Sequence, residues 1–311
     1  MKGQITSQAL ADNLIGDPAT RNYYVYLPAG YDTSDKRYPV VYVLHGSWGN
    51  ENDYIRLGPD LDRLTAGGEA GEMILVFPNA DNKFAGSCYL SSPTIGDYES
   101  YIVKDLVAQI DTNYRTLPQR ENRGITGCSM GGDGALHLAL MYPEVFSVAA
   151  SMSGLYDIEH DPQWETDRLR FGFEPQDFDD LYDERFFAQA AAAAANPDKP
   201  PFYLDMPFEI VDGKGSIVPE VRQKIIAADV LHDLPDYLNQ PVRLNGILIY
   251  HGTYDGSAPV EIIRNFDKTL TEMGVEHDYI EVYGNHCNLD WSVVLNFMSD
   301  HLDFSQAGDQ F

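Results

Sequence analysis

The sequence predicts an α/β protein with a mostly parallel central sheet and helices on both faces. Two observations support this fold class. Continuous apolar runs that end in glycine or polar residues are typical of strands buried on both faces. Segments with helical periodicity separate several of these runs, and such alternation favours parallel strand pairing. The composition agrees, because 44% of the 311 residues are hydrophobic and 12% are aromatic, as in packed globular proteins.

The elements can be assigned in order along the chain. Strands are predicted over 21–28, 38–46 and 72–80, in a segment ending at 128, and over 145–154, 245–256 and 277–286. Helices are predicted over 98–114, from about 130, in the alanine tract before Pro197, and over 260–273 and 289–302. In the first helix, Tyr98, Ile102, Leu106 and Ile110 recur every four residues. Ligands bind beyond the carboxyl ends of parallel strands, so polar residues at those ends are the candidates for a site.

The regular alternation stops at about Tyr156 and resumes after Asn245. The segment between them is acidic and rich in proline, and its aromatic residues include Trp164, Phe171, Phe173, Phe186 and Phe187. We interpret 156–245 as an insertion and candidate lid that covers the sheet within a single domain spanning 1–311. No internal repeat is visible.

Charge and termini restrict the partners. The formal net charge of −27 repels nucleic acid and anionic membranes, so neither is expected as a partner. No apolar run approaches the ~20 residues needed to span a bilayer. The first residues lack the apolar region of a secretory leader, which favours a cytoplasmic location, although a mature chain without its leader would look the same. The oligomeric state is left open.

The three cysteines, Cys88, Cys128 and Cys287, are an odd number without metal-ligand spacing. A disulfide framework is therefore not expected, and Cys128 is interpreted as a small buried hydrophobe. The sequence contains no H-E-x-x-H pair, no cysteine–histidine cluster, no dinucleotide fingerprint and no phosphate loop. We expect neither a metal nor a cofactor.

One motif indicates chemistry. Residues 127–131, Gly-Cys-Ser-Met-Gly, fit G-x-S-x-G between a predicted strand and a predicted helix. This is the context of a nucleophile elbow, a strained turn that presents a serine hydroxyl at its tip. The pattern alone is weak, but the strand–turn–helix context and the further Gly132 strengthen it. Ser129 is therefore the candidate nucleophile.

A serine nucleophile needs a base and an acid that orients the base. His286, on a polar loop before the last helix, is the favoured base. His251 precedes the candidate acid and breaks the expected order of nucleophile, acid and histidine. His137, within the helix after the elbow, is interpreted as a packing or surface residue, and His45 ends an early strand and fits another role. Asp255 follows a strand and precedes His286, so it is the candidate acid, although aspartate also favours turns and helix caps. Asp157 and Asp290 are the reserve candidates for the acid.

Two backbone donors should stabilise the oxyanion that develops on a carbonyl substrate. The N–H of Met130, at the start of a helix, is one candidate. Ser47, in the small-residue turn 45–49, is the other, with Trp48 as the alternative and an ordinary glycine turn as the competing interpretation. Trp48 and His45 are also candidate substrate contacts.

Several stretches together resemble the putative-esterase family of α/β-hydrolases. The family groups esterase-D-type enzymes, feruloyl esterases, S-formylglutathione hydrolases and mycolyltransferases. The resemblance covers roughly 21–154 and 246–298, and it is closest to the feruloyl-esterase branch through HGSWGNENDY, SPTIGDYESYIVKDL and SMGGDGAL. The motif GNHCNLDW departs from the glycine-glycine-histidine that is more common in the family, and 156–245 has no counterpart.

The resemblance implies an α/β-hydrolase fold with Ser129 as nucleophile, Asp255 as acid, His286 as base, and Ser47 and Met130 as the oxyanion hole. The function expected is a cofactor-free serine carboxylester hydrolase that forms an acyl-enzyme. Its substrates are expected to be feruloyl, aryl or short-chain acyl esters of sugars or alcohols. The alternatives are an acyltransferase with the same triad, an S-formylglutathione hydrolase, and a catalytically silent binding module.

Overall fold

The central feature of the computed structural model is one large sheet; the structure describes residues 1–164, 175–181 and 185–305. The strands are β1 Lys2–Thr6, β2 Thr20–Tyr26, β3 Val40–Leu44, β4 Ile74–Pro78, β5 Ser91–Ser92, β6 Gly96–Asp97, β7 Arg123–Cys128, β8 Val148–Met152, β9 Phe208–Val211, β10 Lys214–Ile217, β11 Gly246–Gly252 and β12 Asp278–Val282. Eight of these strands form the large sheet, in the order β1-β2-β4-β3-β7-β8-β11-β12. The strands from β4 to β12 in this order are parallel, whereas β1 and β2 pair antiparallel at one edge.

Helices cover both faces of this sheet. They are α1 Leu57–Ala66, α2 Tyr98–Ser100, α3 Val107–Asn113, α4 Met130–Met141, α5 Arg185–Ala193, α6 Pro219–Ala227, α7 Leu234–Asn239, α8 Val260–Glu272 and α9 Trp291–His301. A π-helical segment, Tyr101–Leu106, joins α2 to α3. Single 3-10 turns lie at Gln8–Leu10, Tyr31–Thr33, Arg120–Asn122, Ile158–His160, Asp179–Leu181 and Val230–His232. In the described ranges, no helix is both long and apolar enough to cross a membrane.

Strand side chains alternate between two hydrophobic cores, one on each face. Val41 and Val43 of β3 pack with α1 and α9, whereas Tyr42 and Leu44 pack with α4 and α8 on the opposite face. All of these side chains are at most 1% exposed. Burial on both faces explains why the strands read as continuous apolar runs rather than as alternating ones.

The segment 156–245 shares the larger of the two cores. Trp164 lies 4.5 Å from Phe186 and 5.7 Å from Phe208, measured between ring centroids, and all three are at most 3% exposed. These rings belong to the same contiguous core as α4 and α8. Two aromatic residues of the segment, Phe171 and Phe173, lie outside the described residues. The interpretation of the segment as an insertion within a single domain rests on this shared core and stays a prediction.

The predicted strands and helices occur close to their predicted positions. The four residues at helical spacing, Tyr98, Ile102, Leu106 and Ile110, are all fully buried on one continuous helix, and the alanine tract is the helix α5. The sequence patterns do not predict β1, α1 or the β9–β10 hairpin. The hairpin is joined by Asp212 and Gly213, both with positive φ, and this two-residue signal is weak within an acidic segment.

Candidate active site

Ser129 lies at the tip of a sharp turn between β7 and α4. Its φ of 59° and ψ of −129° are outside the usual regions for a residue with a side chain. Side chains on the flanking glycines would not fit: a Cβ on Gly127 would lie 2.3 Å from the Gly131 carbonyl oxygen, and one on Gly131 would lie 2.3 Å from the Leu44 carbonyl oxygen. The tight packing of β7 and β3 against α4 therefore requires glycine at both positions. The turn leaves Ser129 half-buried on a cavity wall.

Asp255 and His286 form a hydrogen-bonded pair beside this turn. The Nδ1 atom of His286 lies 2.8 and 2.9 Å from the two carboxylate oxygens of Asp255. The N–H groups of Ser257 and Ala258 also donate to Asp255, each at 2.9 Å. Burial alone would raise the pKa of Asp255, but the hydrogen bond and charge of His286 and these two N–H groups outweigh burial and lower it. Asp255 is thus held as a carboxylate, and His286 carries its proton on Nδ1.

Ser129 and His286 line the same cavity of about 230 Å³. Among the described residues, none forms a hydrogen bond with the Ser129 hydroxyl, so the contact between the candidate nucleophile and the candidate base is not made in this structure. Such contacts are often long in unliganded enzymes and tighten when substrate binds. The side chain of His286 is 30% exposed, so solvent reaches it.

The competing candidates for acid and base have other roles. Asp157 caps a 3-10 turn and binds His160 at 2.8 Å, whereas Asp290 caps α9 through the N–H and hydroxyl of Ser292. His251 is fully buried, and its Nε2 donates to the Ala258 carbonyl at 2.9 Å. None of these three lines the cavity.

The two candidate oxyanion donors meet at the cavity. Ser47 and Met130 both line it, and none of the backbone hydrogen bonds among the described residues uses their N–H groups. The Trp48 N–H donates to the Ala85 carbonyl at 2.8 Å, so Trp48 cannot serve as the alternative donor. Trp48 lines the cavity and is 49% exposed, and its role as a substrate contact stays a prediction.

His45 does not reach the cavity, which corrects its assignment as a candidate substrate contact. It is 1% exposed. Its Nδ1 donates to the Gly46 carbonyl at 2.8 Å, and its Nε2 accepts the N–H of Ala80 at 2.8 Å. Burial lowers the pKa of His45, so the ring is neutral in this role. It stabilises the turn that carries Ser47.

A disulfide joins Cys128 to Cys287, with a Cα–Cα distance of 5.8 Å. The expectation of no disulfide is therefore wrong, and Cys128 is not an isolated buried thiol. The odd cysteine count concealed the pair, because Cys88 remains free. The two bonded residues are 159 positions apart in the sequence. Cys128 directly precedes Ser129, and Cys287 directly follows His286. The bond thus links the nucleophile turn covalently to the histidine loop.

Five further polar residues that line the cavity are not among the candidates from the sequence. They are Asp133 and His137 from α4, Arg185 and Gln189 from α5, and Asp229. Asp133, Arg185 and Gln189 gave no signal because a single polar residue in a helix has no distinctive pattern. His137 was interpreted as a packing or surface residue. It is 8% exposed, and its Nδ1 lies 2.7 Å from the Asp233 carboxylate.

Three of these groups have shifted pKa values. Burial would lower the pKa of His137, but the carboxylates of Asp233 and Glu99 outweigh it and raise the pKa to about 9. Burial raises the pKa of Asp229 to about 7, although the N–H groups of Ile158 and Leu231 oppose the shift. Loss of hydration raises the pKa of Asp133 well above its usual value, and the nearby Asp229 adds to the shift. In the ranges that the structure covers, no group of three or more His, Cys, Asp or Glu side chains is arranged to hold a metal ion.

Comparison with known proteins identifies the family. The family model described as "Putative esterase" matches residues 18–199. An esterase of Mycobacterium tuberculosis is 36% identical over 145 residues, which are 44% of this chain and 30% of that protein. The chain therefore spans less than a third of the length of this curated relative.

Two solved structures cover nearly the whole chain. A ferulic acid esterase matches with a TM-score of 0.68 at 21% identity, covering 97% of both chains. An S-formylglutathione hydrolase from Staphylococcus aureus matches with a TM-score of 0.61 at 18% identity, covering 96% of this chain and 98% of that one. These similarities confirm the predicted α/β-hydrolase fold. Because both structures cover at least 96% of the chain, most of 156–245 has a structural counterpart in them, and the expectation that it has none is wrong. Because the family model matches more than half of the length of this chain, the chain belongs to the putative esterase family.

Proposed function

We propose that the protein is a serine carboxylester hydrolase that works through an acyl-enzyme on Ser129. The observation that carries the proposal is the pairing of His286 with Asp255 at 2.8 Å on the cavity that Ser129 lines from a strained turn. Membership of the putative esterase family and similarity to a ferulic acid esterase support the same reaction class. The substrate is a small-molecule or carbohydrate-linked ester, with feruloyl, aryl or short-chain acyl groups as the candidates.

The reaction begins with attack of the Ser129 Oγ on the ester carbonyl carbon. The hydroxyl proton passes to Nε2 of His286, and the Asp255 carboxylate stabilises the imidazolium that forms. The carbonyl oxygen becomes an oxyanion, which accepts hydrogen bonds from the backbone N–H groups of Ser47 and Met130. Because these donors belong to the backbone, they are in place before the reaction and need no reorganisation.

Collapse of the tetrahedral intermediate releases the alcohol, which leaves with the proton from His286. A water molecule then loses a proton to His286 and attacks the acyl carbon. The second tetrahedral intermediate breaks the bond to Ser129 and releases the carboxylic acid. The serine recovers its proton, so the enzyme returns to its starting state.

The experiment that tests this function is hydrolysis of p-nitrophenyl acetate by Ser129→Ala. We expect kcat to fall by a factor of about 10⁵–10⁶, because the nucleophile is lost while binding remains. Ser216→Ala is the matched control, since Ser216 lies on the β9–β10 hairpin and does not line the cavity. Circular dichroism and the melting temperature should be unchanged in both variants. Retained hydrolysis by a folded Ser129→Ala protein would contradict the proposal.

A further inference from the structure

The loop that follows β11 carries the candidate acid, Asp255, and its tip is open to solvent. Gly256 and Ser257 are exposed, and a Cβ on Gly256 would meet no atom within 4 Å. Within this loop, the N–H groups of Ser257 and Ala258 donate to the Asp255 carboxylate, each at 2.9 Å. The orientation of the carboxylate therefore depends on where residues 256–258 lie.

A side chain from a distant part of the sequence holds the tip of this loop. The amide of Gln163, in the segment 156–245, donates to the Gly256 carbonyl at 2.8 Å and to the Ser257 carbonyl at 3.2 Å. Both carbonyl oxygens can only accept hydrogen bonds, so the amide must present its two N–H donors to them and not its oxygen. Among the described residues, no other group donates a hydrogen bond to either carbonyl.

Gln163 is itself fixed on both sides along the chain. Its backbone N–H donates to the Asp161 carboxylate at 3.0 Å, and Asp161 is 2% exposed and forms an ion pair with Arg185 of α5. The next residue, Trp164, is fully buried, and its ring lies 4.5 Å from that of Phe186. Because a buried ion pair and a packed indole hold the backbone on either side, Gln163 can serve as a fixed support for the loop.

These contacts connect the segment 156–245 to the candidate base. Gln163 holds the loop carbonyls, the loop N–H groups hold Asp255, and Asp255 binds Nδ1 of His286 at 2.8 Å. We propose that Gln163 is a positioning residue of the active site, which fixes the loop 256–258 so that the Asp255 carboxylate stays aligned with His286. It acts through the loop, because none of its hydrogen bonds within the described ranges goes to Asp255 or His286. This inference rests on the proposed function and gives the segment a part in catalysis.

Burial makes Asp255 sensitive to the position of the loop. Burial would raise the pKa of Asp255, but the hydrogen bond and charge of His286 and the N–H groups of Ala258 and Ser257 lower it. Because the Asp255 side chain is fully buried, water cannot replace these donors when the loop moves away. A displacement of about 1 Å in an active site can cost about 100-fold in rate. Loss of the Gln163 contacts should therefore slow turnover even though the triad itself is intact.

Two variants of Gln163 test the inference by kinetics. Gln163→Met keeps the length of the side chain but removes both donors, and Gln163→Glu places carboxylate oxygens against the two carbonyls. For hydrolysis of p-nitrophenyl acetate, we expect kcat to fall about 10-fold in Gln163→Met and about 100-fold in Gln163→Glu, with KM within about twofold of the wild-type value. Gln163 also lines the cavity, and a role as a substrate contact would instead raise KM.

Gln223→Met is the matched control, because Gln223 is exposed on α6 of the same segment and does not line the cavity. Its kcat and KM should equal those of the wild type. Circular dichroism and the melting temperature identify the variants that are folded, and either Gln163 variant is sufficient for the test if the other is unstable.

A spectroscopic measurement reports the alignment directly and does not depend on turnover. The hydrogen bond to Asp255 should give the Nδ1–H of His286 a downfield proton resonance, which His286→Gln identifies by its absence. We expect this resonance to move upfield and to broaden in both Gln163 variants, and to be unchanged in Gln223→Met.

The outcomes separate this inference from the proposed function. If the wild type hydrolyses p-nitrophenyl acetate and folded Gln163 variants keep both kcat and the His286 resonance, the positioning role is overturned while the esterase proposal stands. The same holds if only KM rises in these variants. If the wild type does not hydrolyse the ester, both are overturned.

Discussion

The two sides of the cavity are built by different means. One side, which we call the rim, consists of the candidate catalytic residues Ser47, Ser129, Asp255 and His286, and it lies on loops that follow four strands of the central sheet. The other side, which we call the polar wall, consists of Asp133, His137, Arg185, Gln189 and Asp229, and the last three belong to the segment 156–245. The rim depends on backbone geometry and strand pairing, whereas the wall depends on side-chain packing. The position of the rim therefore follows from the sheet framework, whereas the wall depends on how 156–245 packs on that framework.

Strand pairing explains how the rim is assembled. Parallel pairing of β3 with β7, of β7 with β8, of β8 with β11 and of β11 with β12 brings all of their carboxyl ends to one edge. The Cys128–Cys287 disulfide adds a covalent link between the Ser129 turn and the His286 loop. The N–H of Cys287 also donates to the Ser153 hydroxyl at 3.2 Å, which fixes the histidine loop to the end of β8.

Among the described residues, no side-chain hydrogen bond joins a residue of the rim to a residue of the wall. The wall residue His137 binds Asp233 of the segment 156–245 at 2.7 Å, and Gln163 of the segment donates to the Gly256 carbonyl, next to Asp255, at 2.8 Å. The Ser92 hydroxyl also donates to the Ala191 carbonyl of the segment at 2.7 Å, and the aromatic cluster around Trp164 packs in the shared core. Changes at the rim and at the wall should therefore have separable effects on turnover and on selectivity.

The largest effect is expected at the rim, from Asp255→Asn. An amide cannot stabilise the imidazolium and favours the wrong tautomer of His286, so kcat should fall about 10⁴-fold. Steady-state hydrolysis of p-nitrophenyl acetate measures this. Asp290→Asn is the control: because Asp290 caps α9, it should cost at most about 1 kcal/mol of stability and leave kcat unchanged. A loss of activity in the control alone would assign the acid to Asp290.

A smaller effect at the rim is expected from reduction of the disulfide. Without the link, the histidine loop can move relative to Ser129, and a displacement of about 1 Å can cost about 100-fold in rate. We expect kcat to fall about 10- to 100-fold with little change in KM, and to recover on reoxidation. Cys88→Ala, which keeps the disulfide, should respond to reductant in the same way as the wild type.

Unchanged turnover, with a thiol assay showing that both bonded cysteines have been reduced, would show that the disulfide does not position the rim.

The bond also bears on the location of the protein. Disulfides persist mainly in oxidising compartments and are rare in the cytosol. The Cys128–Cys287 bond therefore gives no support to a cytoplasmic location, which stays a prediction.

The smallest effect is expected on stability, from the pair formed by His137 on α4 and Asp233 in the segment 156–245. The pKa of His137 is raised to about 9 in the folded protein, above its ordinary value of about 6.5. A raised pKa adds stability that is fully present below pH 6.5 and is lost as the pH rises through 9. The free energy of unfolding should therefore fall between pH 7 and pH 10, and the loss of the His137 contribution should account for about 3 kcal/mol of that fall.

Denaturant unfolding of the wild type and of His137→Gln at several pH values measures this contribution. The difference between the two proteins should be greatest near pH 6 and should shrink above pH 9. Other groups that titrate in this range are present in both proteins, so they cancel in the difference. A difference that does not depend on pH would mean that His137 is not held as an imidazolium in the fold.

The sequence predicts the framework better than the wall for a physical reason. Buried parallel strands require continuous apolar runs, and the nucleophile turn requires Gly127 and Gly131, so these features leave local patterns. The order of Ser129, Asp255 and His286 along the chain adds a constraint that local patterns alone do not provide. The structure brings these three residues to one side of the molecule, while their catalytic roles stay a proposal.

The features that the sequence did not reveal are set by contacts between distant residues. The Cys128–Cys287 bond depends on the approach of two loops 159 residues apart, and three cysteines do not indicate which two will pair. Gln189 reaches the cavity only because α5 packs against the framework, and nothing in an alanine-rich helix marks that residue. His45 ends a strand, as a site residue would, but its ring turns inward to stabilise the adjacent turn.

The most direct test of the account is to locate the covalent intermediate. A fluorophosphonate probe, followed by peptide mass spectrometry, should place one label per chain on Ser129 in the wild type and none in Ser129→Ala. The labelling rate should fall in Asp255→Asn in proportion to kcat, because the same base activates the hydroxyl in both reactions. A label on another residue, or undiminished labelling of Ser129→Ala, would contradict the central claim that Ser129 is the nucleophile.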